Sequence, residues 1–225
     1  MLCTKLPIGV RPLSAHTPFA PLRPRVLGRS RRVVAMVADS TVLIPIATGT
    51  EEMEAVIMID VLRRAGAKVV VASTESGLVV TCSRGVKIVA DQLIADCSSH
   101  CYDLIACPGG MPGAERLRDC AVLSDMVASQ RAAGRLYAAI CATPAVFFEA
   151  KGLLEGKAAT AHPAFSGDLK DQSKVDERVV VDGNLTTSRG PGTAFEFSLA
   201  LVKQLYDEEK AQAVAAPMVM YPFKV

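Results

Sequence analysis

The sequence predicts a single α/β domain, a mostly parallel sheet with helices on both faces. Three observations predict it. From Ser40 onward, short β-branched runs alternate with helix-like segments, the pattern of strands joined by crossover helices. Half of the 225 residues are hydrophobic and 21% are charged, which suits one buried core and excludes collagen, coiled coil and low-complexity polymer. No internal repeat or interdomain linker interrupts the pattern, so one domain, residues 39–225, accounts for the body.

The first 38 residues stand apart. They hold seven basic side chains (Lys5, Arg11, Arg23, Arg25, Arg29, Arg31, Arg32) and no acid, leaving 18 basic against 23 acidic in the other 187 residues, a net −5. Five prolines (Pro7, Pro12, Pro18, Pro21, Pro24) stop any long amphipathic helix, and Thr4, Ser14, Thr17 and Ser30 are interspersed with arginine. Such a composition reads as a transit peptide, residues 1–38, cut between Arg32 and Ser40. Its proline density favours the chloroplast over the mitochondrion, and it lacks the uninterrupted apolar stretch of a secretory signal. The mildly acidic body lacks the basic surface that releases counterions from nucleic-acid phosphates. Its longest apolar stretch, near 136–148, falls short of the roughly 20 residues that span a bilayer, so no membrane is expected. Seven cysteines at irregular spacings argue for reduced thiols rather than a disulfide scaffold.

Within the body, β-branched runs predict strands over 42–47, 68–73, 104–107, 136–140, 158–161 and 179–181. Between the first two, Met53, Val56, Ile57 and Val61 recur at helical spacing, and Gly66 follows Arg63 and Arg64 as a stop. Residues 77–90 read as a hairpin around Ser83-Arg84-Gly85. Helices over 193–206 and 207–215 precede an apolar tail.

The segment from Gly134 to Phe148 is the most informative about chemistry. A strand ends at Ile140, and Pro144 sits where a first helical turn tolerates a missing N–H, so Cys141 falls in a tight strand-to-helix turn. Small neighbours (Ala138, Ala139, Ala142) suit the crowding of a nucleophile elbow, although the G-x-S-x-G frame is absent. The amides and positive pole of the following helix are expected to favour thiolate. The plain alternative is a buried Cys acting as a small hydrophobe. Strand one leads to Glu51, Glu52 and Glu54. Glu54 is expected on the inward face with Met53 and Ile57, where a carboxylate reaches the crevice at the carboxyl ends of parallel strands. Glu51 and Glu52 are read as acids that complement the helix dipole.

Two further turns are expected at that edge. Pro108-Gly109-Gly110 lets backbone amides approach a ligand closely, and Ser188-Arg189-Gly190-Pro191 is another strand-to-helix corner. His162 follows Cys141 near a strand end; a Cys–His pair is the general recipe for an activated thiol, although a lone His is more often structural. Cys97, His100, Cys101 and Cys107 have metal-like spacing. Zinc needs four closed ligands, and the strand should pull Cys107 into the sheet, so no metal is expected.

Taken together, Gly49-Thr-Glu-Glu-Met-Glu54, Thr81-Cys-Ser-Arg84, Pro108-Gly-Gly110, Ala138-Ala-Ile-Cys-Ala142, Thr160-Ala-His162-Pro and Thr187-Ser-Arg-Gly-Pro-Gly-Thr193-Ala-Phe-Glu-Phe197 resemble one family. It is the DJ-one (Parkinson disease protein) branch of the DJ-one/PfpI superfamily, and the resemblance covers nearly all of residues 40–220. It implies a flavodoxin-like three-layer sandwich, a homodimer, a reactive Cys141, a carboxylate partner at Glu54, an imidazole at His162, and oxyanion donors from the amides of Gly110 and Ala142. Gly109, Arg84, Arg189 and Pro191 become candidates for the substrate pocket or dimer edge.

The implied activity is a glutathione-independent glyoxalase of the glyoxalase III (D-lactate dehydratase) type, converting methylglyoxal to lactate without cofactor, with deglycase action on dicarbonyl adducts. The competing reading is a redox-sensing stress chaperone whose Cys141 is oxidised to sulfinate. Three departures narrow the choice of relatives. Ala142 replaces the His that follows the nucleophile in protease-type members. Pro163 and Ala164 follow His162, where amidotransferases place a Glu two residues on. Val89 stands where a second hairpin Cys often occurs.

Overall fold

A computed structural model of the chain describes residues 40–220. The basic leader 1–38 and the end of the apolar tail lie outside the described residues. The strands are β1 (Thr41–Ile46), β2 (Lys68–Ser73), β3 (Val79–Thr81), β4 (Lys87–Val89), β5 (Gln92–Leu93), β6 (Leu104–Cys107), β7 (Leu136–Ile140), β8 (Val179–Asp182) and β9 (Leu185–Ser188). The helices are α1 (Glu52–Arg64), α2 (Ile94–Cys97), α3 (Gly113–Asp119), α4 (Ala121–Ala132), α5 (Ala194–Leu205) and α6 (Glu208–Ala215). Residues Pro144–Glu149 form a π-helical segment.

Seven strands pair in the order β5-β2-β1-β6-β7-β9-β8, and β3 pairs with β4 as a separate antiparallel hairpin. Every pairing in the large sheet is parallel except β8 with β9. Because side chains alternate across a strand, the central strands feed two cores. Val42, Ile44 and Ile46 of β1, with Leu104 of β6 and Ile140 of β7, pack with Met58 of α1 and Phe197 of α5. Leu43, Ile105 and Tyr137 point the other way, among Leu117 of α3, Leu123 of α4 and Phe148. The result is a helix–sheet–helix sandwich in one domain.

Three expectations are corrected. Residues 158–161 are not a strand: Thr160 N–H donates to the side-chain Oγ1 of Thr187 at 2.9 Å, so the segment runs beside β9 without a backbone ladder. The place beside β7 is taken by β9, whose Leu-Thr-Thr-Ser sequence is polar yet buried. Its hydroxyls are satisfied: Thr186 donates to Gln204 at 2.7 Å and Ser188 to the Arg178 carbonyl at 2.7 Å, which removes the usual cost of burial. On α1 the buried stripe is Glu54, Ala55, Met58, Val61 and Leu62, while Met53 is 55% and Val56 49% exposed. Glu54 therefore does not share a face with Met53. After Cys141 the chain forms a six-residue π-helical segment, too short to supply the dipole expected of a full helix.

Candidate active site

The parallel strands β1, β6, β7 and β9 end at one edge, and the residues following each build a common cleft. Cys141, directly after β7, has φ of 66°, a left-handed conformation that costs a non-glycine residue free energy and marks a strained turn. Three bonds hold it there. Cys141 N–H donates to the Ser188 carbonyl at 3.0 Å, and its own carbonyl accepts from His162 N–H at 2.8 Å. Thr143 Oγ1 donates to the Pro108 carbonyl at 2.6 Å, tying the elbow to the turn after β6.

Glu54 is fully buried beneath this turn. Its Oε2 accepts from Gly109 N–H at 2.8 Å, and its backbone N–H donates to the capping carboxylate of Glu51 at 2.7 Å. The carboxyl interacts with the Cys141 thiol, while Oε1 is buried with no close hydrogen-bond partner. Burial pushes Glu54 up to about 8. Burial also pushes Cys141 up, to about 12, with the Glu54 charge adding to the rise and the amides of Gly110 and Ala142 pulling the other way. The direction runs against the thiolate-favouring environment expected from the sequence: desolvation outweighs the two amides, and the segment after Cys141 brings no strong dipole. The two acids share a site and act on each other. When Glu54 carries the proton, the charge that opposes a thiolate is gone.

The cleft measures about 380 Å³ and is lined by Cys141, Ala142, Gly110, His162, Arg84 and Pro191, together with Glu51, Ser83, Met111 and Phe165. Gly110 has φ of 91°, and its amide interacts with the Cys141 sulfur. His162 Nδ1 accepts from Ala164 N–H at 3.1 Å, so in the neutral ring Nε2 carries the proton and the imidazole acts as a donor. Gly109 lies under the thiol rather than in the cleft, and Arg189 lines an adjoining groove.

Glu52 has a part that no sequence motif announces. Its Oε2 accepts from Ser83 Oγ at 2.7 Å and its Oε1 from Arg84 N–H at 2.8 Å. A buried acid on α1 thereby fastens the hairpin turn that carries Arg84 to the cleft. Among the described residues no group of three His, Cys, Asp or Glu could hold a metal. Cys107 is buried in β6, and Cys97 accepts from Gln92 Nε2 at 3.0 Å. No helix among the described residues is long and apolar enough to cross a membrane.

The model of the DJ-1/PfpI family matches residues 40–204. The chain belongs to the DJ-1/PfpI family. It is 51% identical over 201 residues to Protein DJ-1 homolog B of Arabidopsis thaliana, an alignment covering 88% of this chain and 46% of that protein. The chain thus spans about half the length of that plant relative. It is 36% identical over 174 residues to a Caenorhabditis elegans protein named Glutathione-independent glyoxalase DJR-1.2, covering 76% of this chain and 90% of that one. The solved structure of oxidized Toxoplasma gondii DJ-1 superposes with a TM-score of 0.79 at 48% identity, covering 81% of this chain and 100% of the other. The mostly parallel sheet between two helical layers is the flavodoxin-like fold of these DJ-1/PfpI structures.

Proposed function

We propose that this DJ-1/PfpI chain is a glutathione-independent glyoxalase that converts methylglyoxal to lactate on Cys141. The observation that carries the reading is convergence on one strained residue: a buried carboxyl and the amides of Gly110 and Ala142 all act on the Cys141 sulfur. The named activity of the nematode relative supports it.

The chemistry needs no external oxidant. As sulfur bonds to the aldehyde carbon, Glu54 takes the thiol proton and delivers it to the carbonyl oxygen, giving a hemithioacetal. The amides of Gly110 and Ala142 hold the negative charge that develops on that oxygen. Glu54 then removes the proton from the first carbon, the hydroxyl proton on that carbon's oxygen passes to the oxygen of the second carbon through the enediolate, and Glu54 returns its proton to the second carbon. The product is a lactoyl thioester, which water cleaves to lactate and free thiol. A carboxyl titrating near neutrality suits both the taking and the giving. His162, donating from Nε2, orients the substrate oxygen. The same hemithioacetal step extends to removal of dicarbonyl adducts from amines, a deglycase action.

In single-turnover assays without glutathione, Cys141→Ser and Glu54→Gln should each abolish lactate formation. Activity at the wild-type rate in either variant would refute the mechanism.

A second reading rests on the protonated Glu54. Its O–H can donate to an oxygen on Cys141, favouring a sulfinate formed by two successive peroxide oxidations. A peroxide-dependent mass gain confined to Cys141, accompanied by a change in chaperone activity, would support this role beside the first. In the same reading the chain is a homodimer whose contact face includes the exposed Met53 and Val56 of α1 and Val79 and Val89 of the hairpin. Residues 1–38 are a transit peptide to the chloroplast, with the mitochondrion as the alternative, and a fluorescent fusion behind them reports the address.

A further inference from the structure

The catalytic cleft does not end at His162 and Pro191. Both residues also line an open groove of about 310 Å³, whose other walls are Pro163, Arg178, Arg189 and the loop Gly190–Thr193. This lining holds two guanidinium groups and no carboxylate. Both arginines have partners at the rim of the groove. Arg189 Nη1 donates to the Asp176 carbonyl at 3.1 Å, and its Nη2 lies 3.7 Å from the carboxylate of Asp176, whose side chain is 96% exposed. Arg178 donates to Glu196 at 2.8 Å and to the Gly192 carbonyl at 2.9 Å. Ion pairs this exposed contribute little and exchange readily for another anion. Arg189 Nε, in contrast, is buried with no acceptor, a state that native structures rarely leave unexplained.

Size points the same way. Methylglyoxal has about five non-hydrogen atoms, whereas a cleft of about 380 Å³ falls in the range of roughly 300–1,000 Å³ that houses far larger ligands. We propose that the Arg178–Arg189 groove is an anion subsite, so that the preferred substrates are α-oxoaldehydes or their adducts carrying a carboxylate or phosphate beyond the reacting carbonyl. The proposal rests on the reading of Cys141 as the reacting group and names the substrate class for it. The planar guanidinium fork recognises either oxyanion by paired N–H donors. His162 sits where the two spaces join, between the reacting carbonyl and the distal charge.

The test uses a pair of thiol alkylators that differ only in charge, N-iodoacetylglycine and N-iodoacetylglycinamide. In each, a bond forms from the Cys141 sulfur to carbon, iodide leaves and the thiol proton passes to Glu54 or solvent; the glycine unit carries the charge roughly 3.5 Å further out. Alkylation at Cys141 is followed by peptide mass. The acid-to-amide rate ratio should exceed that of free N-acetylcysteine by at least about fivefold and shrink as salt is raised. Combined Arg178→Gln and Arg189→Gln should return the ratio to the free-thiol value, and the corresponding Lys replacements should retain most of the preference. A wild-type ratio equal to that of the free thiol overturns the proposal without any variant having to fold. So does a preference that survives in the double Gln variant and is lost instead in Arg84→Gln. Because no turnover is required, a failure of lactate formation refutes the proposed activity separately from the subsite.

Discussion

The amide of Gly109 donates to Glu54 Oε2 at 2.8 Å, directly beneath the Cys141 turn. One glycine thus fixes the carboxyl and leaves room for the thiol above it. A Cβ built on Gly109 would overlap the Cys141 Cβ and lie 2.9 Å from both Glu54 Oε2 and the Ile140 carbonyl. Two of these neighbours are the proposed reacting pair and the third is backbone, so none can move without displacing the site. Gly109→Ala should therefore lower lactate formation by at least about 100-fold, the scale of a misplacement near 1 Å, and cost about 1–3 kcal/mol of stability. Steady-state kinetics and thermal melting of the same variant check both. Wild-type kinetics in a folded Gly109→Ala protein would show that the packing around the thiol is looser than these distances imply.

Strain at Cys141 gives a second prediction. Replacing it by Ala or Gly removes the same sulfur, but only Gly adopts φ of 66° without penalty. Cys141→Gly should be more stable than Cys141→Ala by about 1 kcal/mol, the reverse of the usual order, as measured by urea denaturation. Equal or inverted stabilities would mean that the elbow stores no strain.

Glu54 links stability to pH. Burial raises it from 4.5 to about 8 in the folded protein. Between those values the unfolded chain ionises while the folded one keeps its proton, so the folded state binds more protons and stability falls as pH rises. The loss is absent below about pH 4.5, complete above about pH 8 and on the order of a few kcal/mol. Glu54→Gln cannot ionise, so its melting temperature should gain several degrees on wild type between about pH 4.5 and 8.5. A constant difference across that window contradicts the raised value.

The contact from Glu52 to the hairpin predicts a divided effect. Glu52→Ala leaves Ser83 Oγ and Arg84 N–H without their buried acceptor, costing roughly 2–3 kcal/mol. Hydrogen exchange should quicken at residues 83–86, and KM should rise more than kcat falls, because the hairpin lines the cleft without touching the sulfur. Equal losses in both parameters with an unchanged hairpin would assign Glu52 another role.

Much of the fold was legible because its central strands are β-branched runs with sharp ends; the run over 68–73 and the run over 104–107 coincide with β2 and β6. The polar strand β9 was not, since Thr186, Thr187 and Ser188 become core residues only through partners distant in sequence. Cys141 could be placed in a turn because Pro144 restricts the backbone just beyond it. Its protonation could not be read, because desolvation depends on the groups that the fold stacks around it: Glu54 from α1 and Gly109 from the end of β6. Glu52 was invisible for a related reason. Its partners Ser83 and Arg84 lie 31 and 32 residues away, with no local pattern joining them.

The central claim is that carbon chemistry occurs on the Cys141 sulfur with Glu54 moving the proton. The most direct measurement is a single turnover of methylglyoxal without glutathione quenched into hydroxylamine, which releases a thioester as lactohydroxamate but a hemithioacetal as the oxime of methylglyoxal, with the protein mass followed at Cys141. Wild type should carry a hydroxylamine-cleavable lactoyl group on Cys141. Glu54→Gln and Cys141→Ser should each give the oxime and no lactohydroxamate. Lactate released with no adduct on Cys141, or thioester formed at the wild-type rate in Glu54→Gln, would contradict that claim.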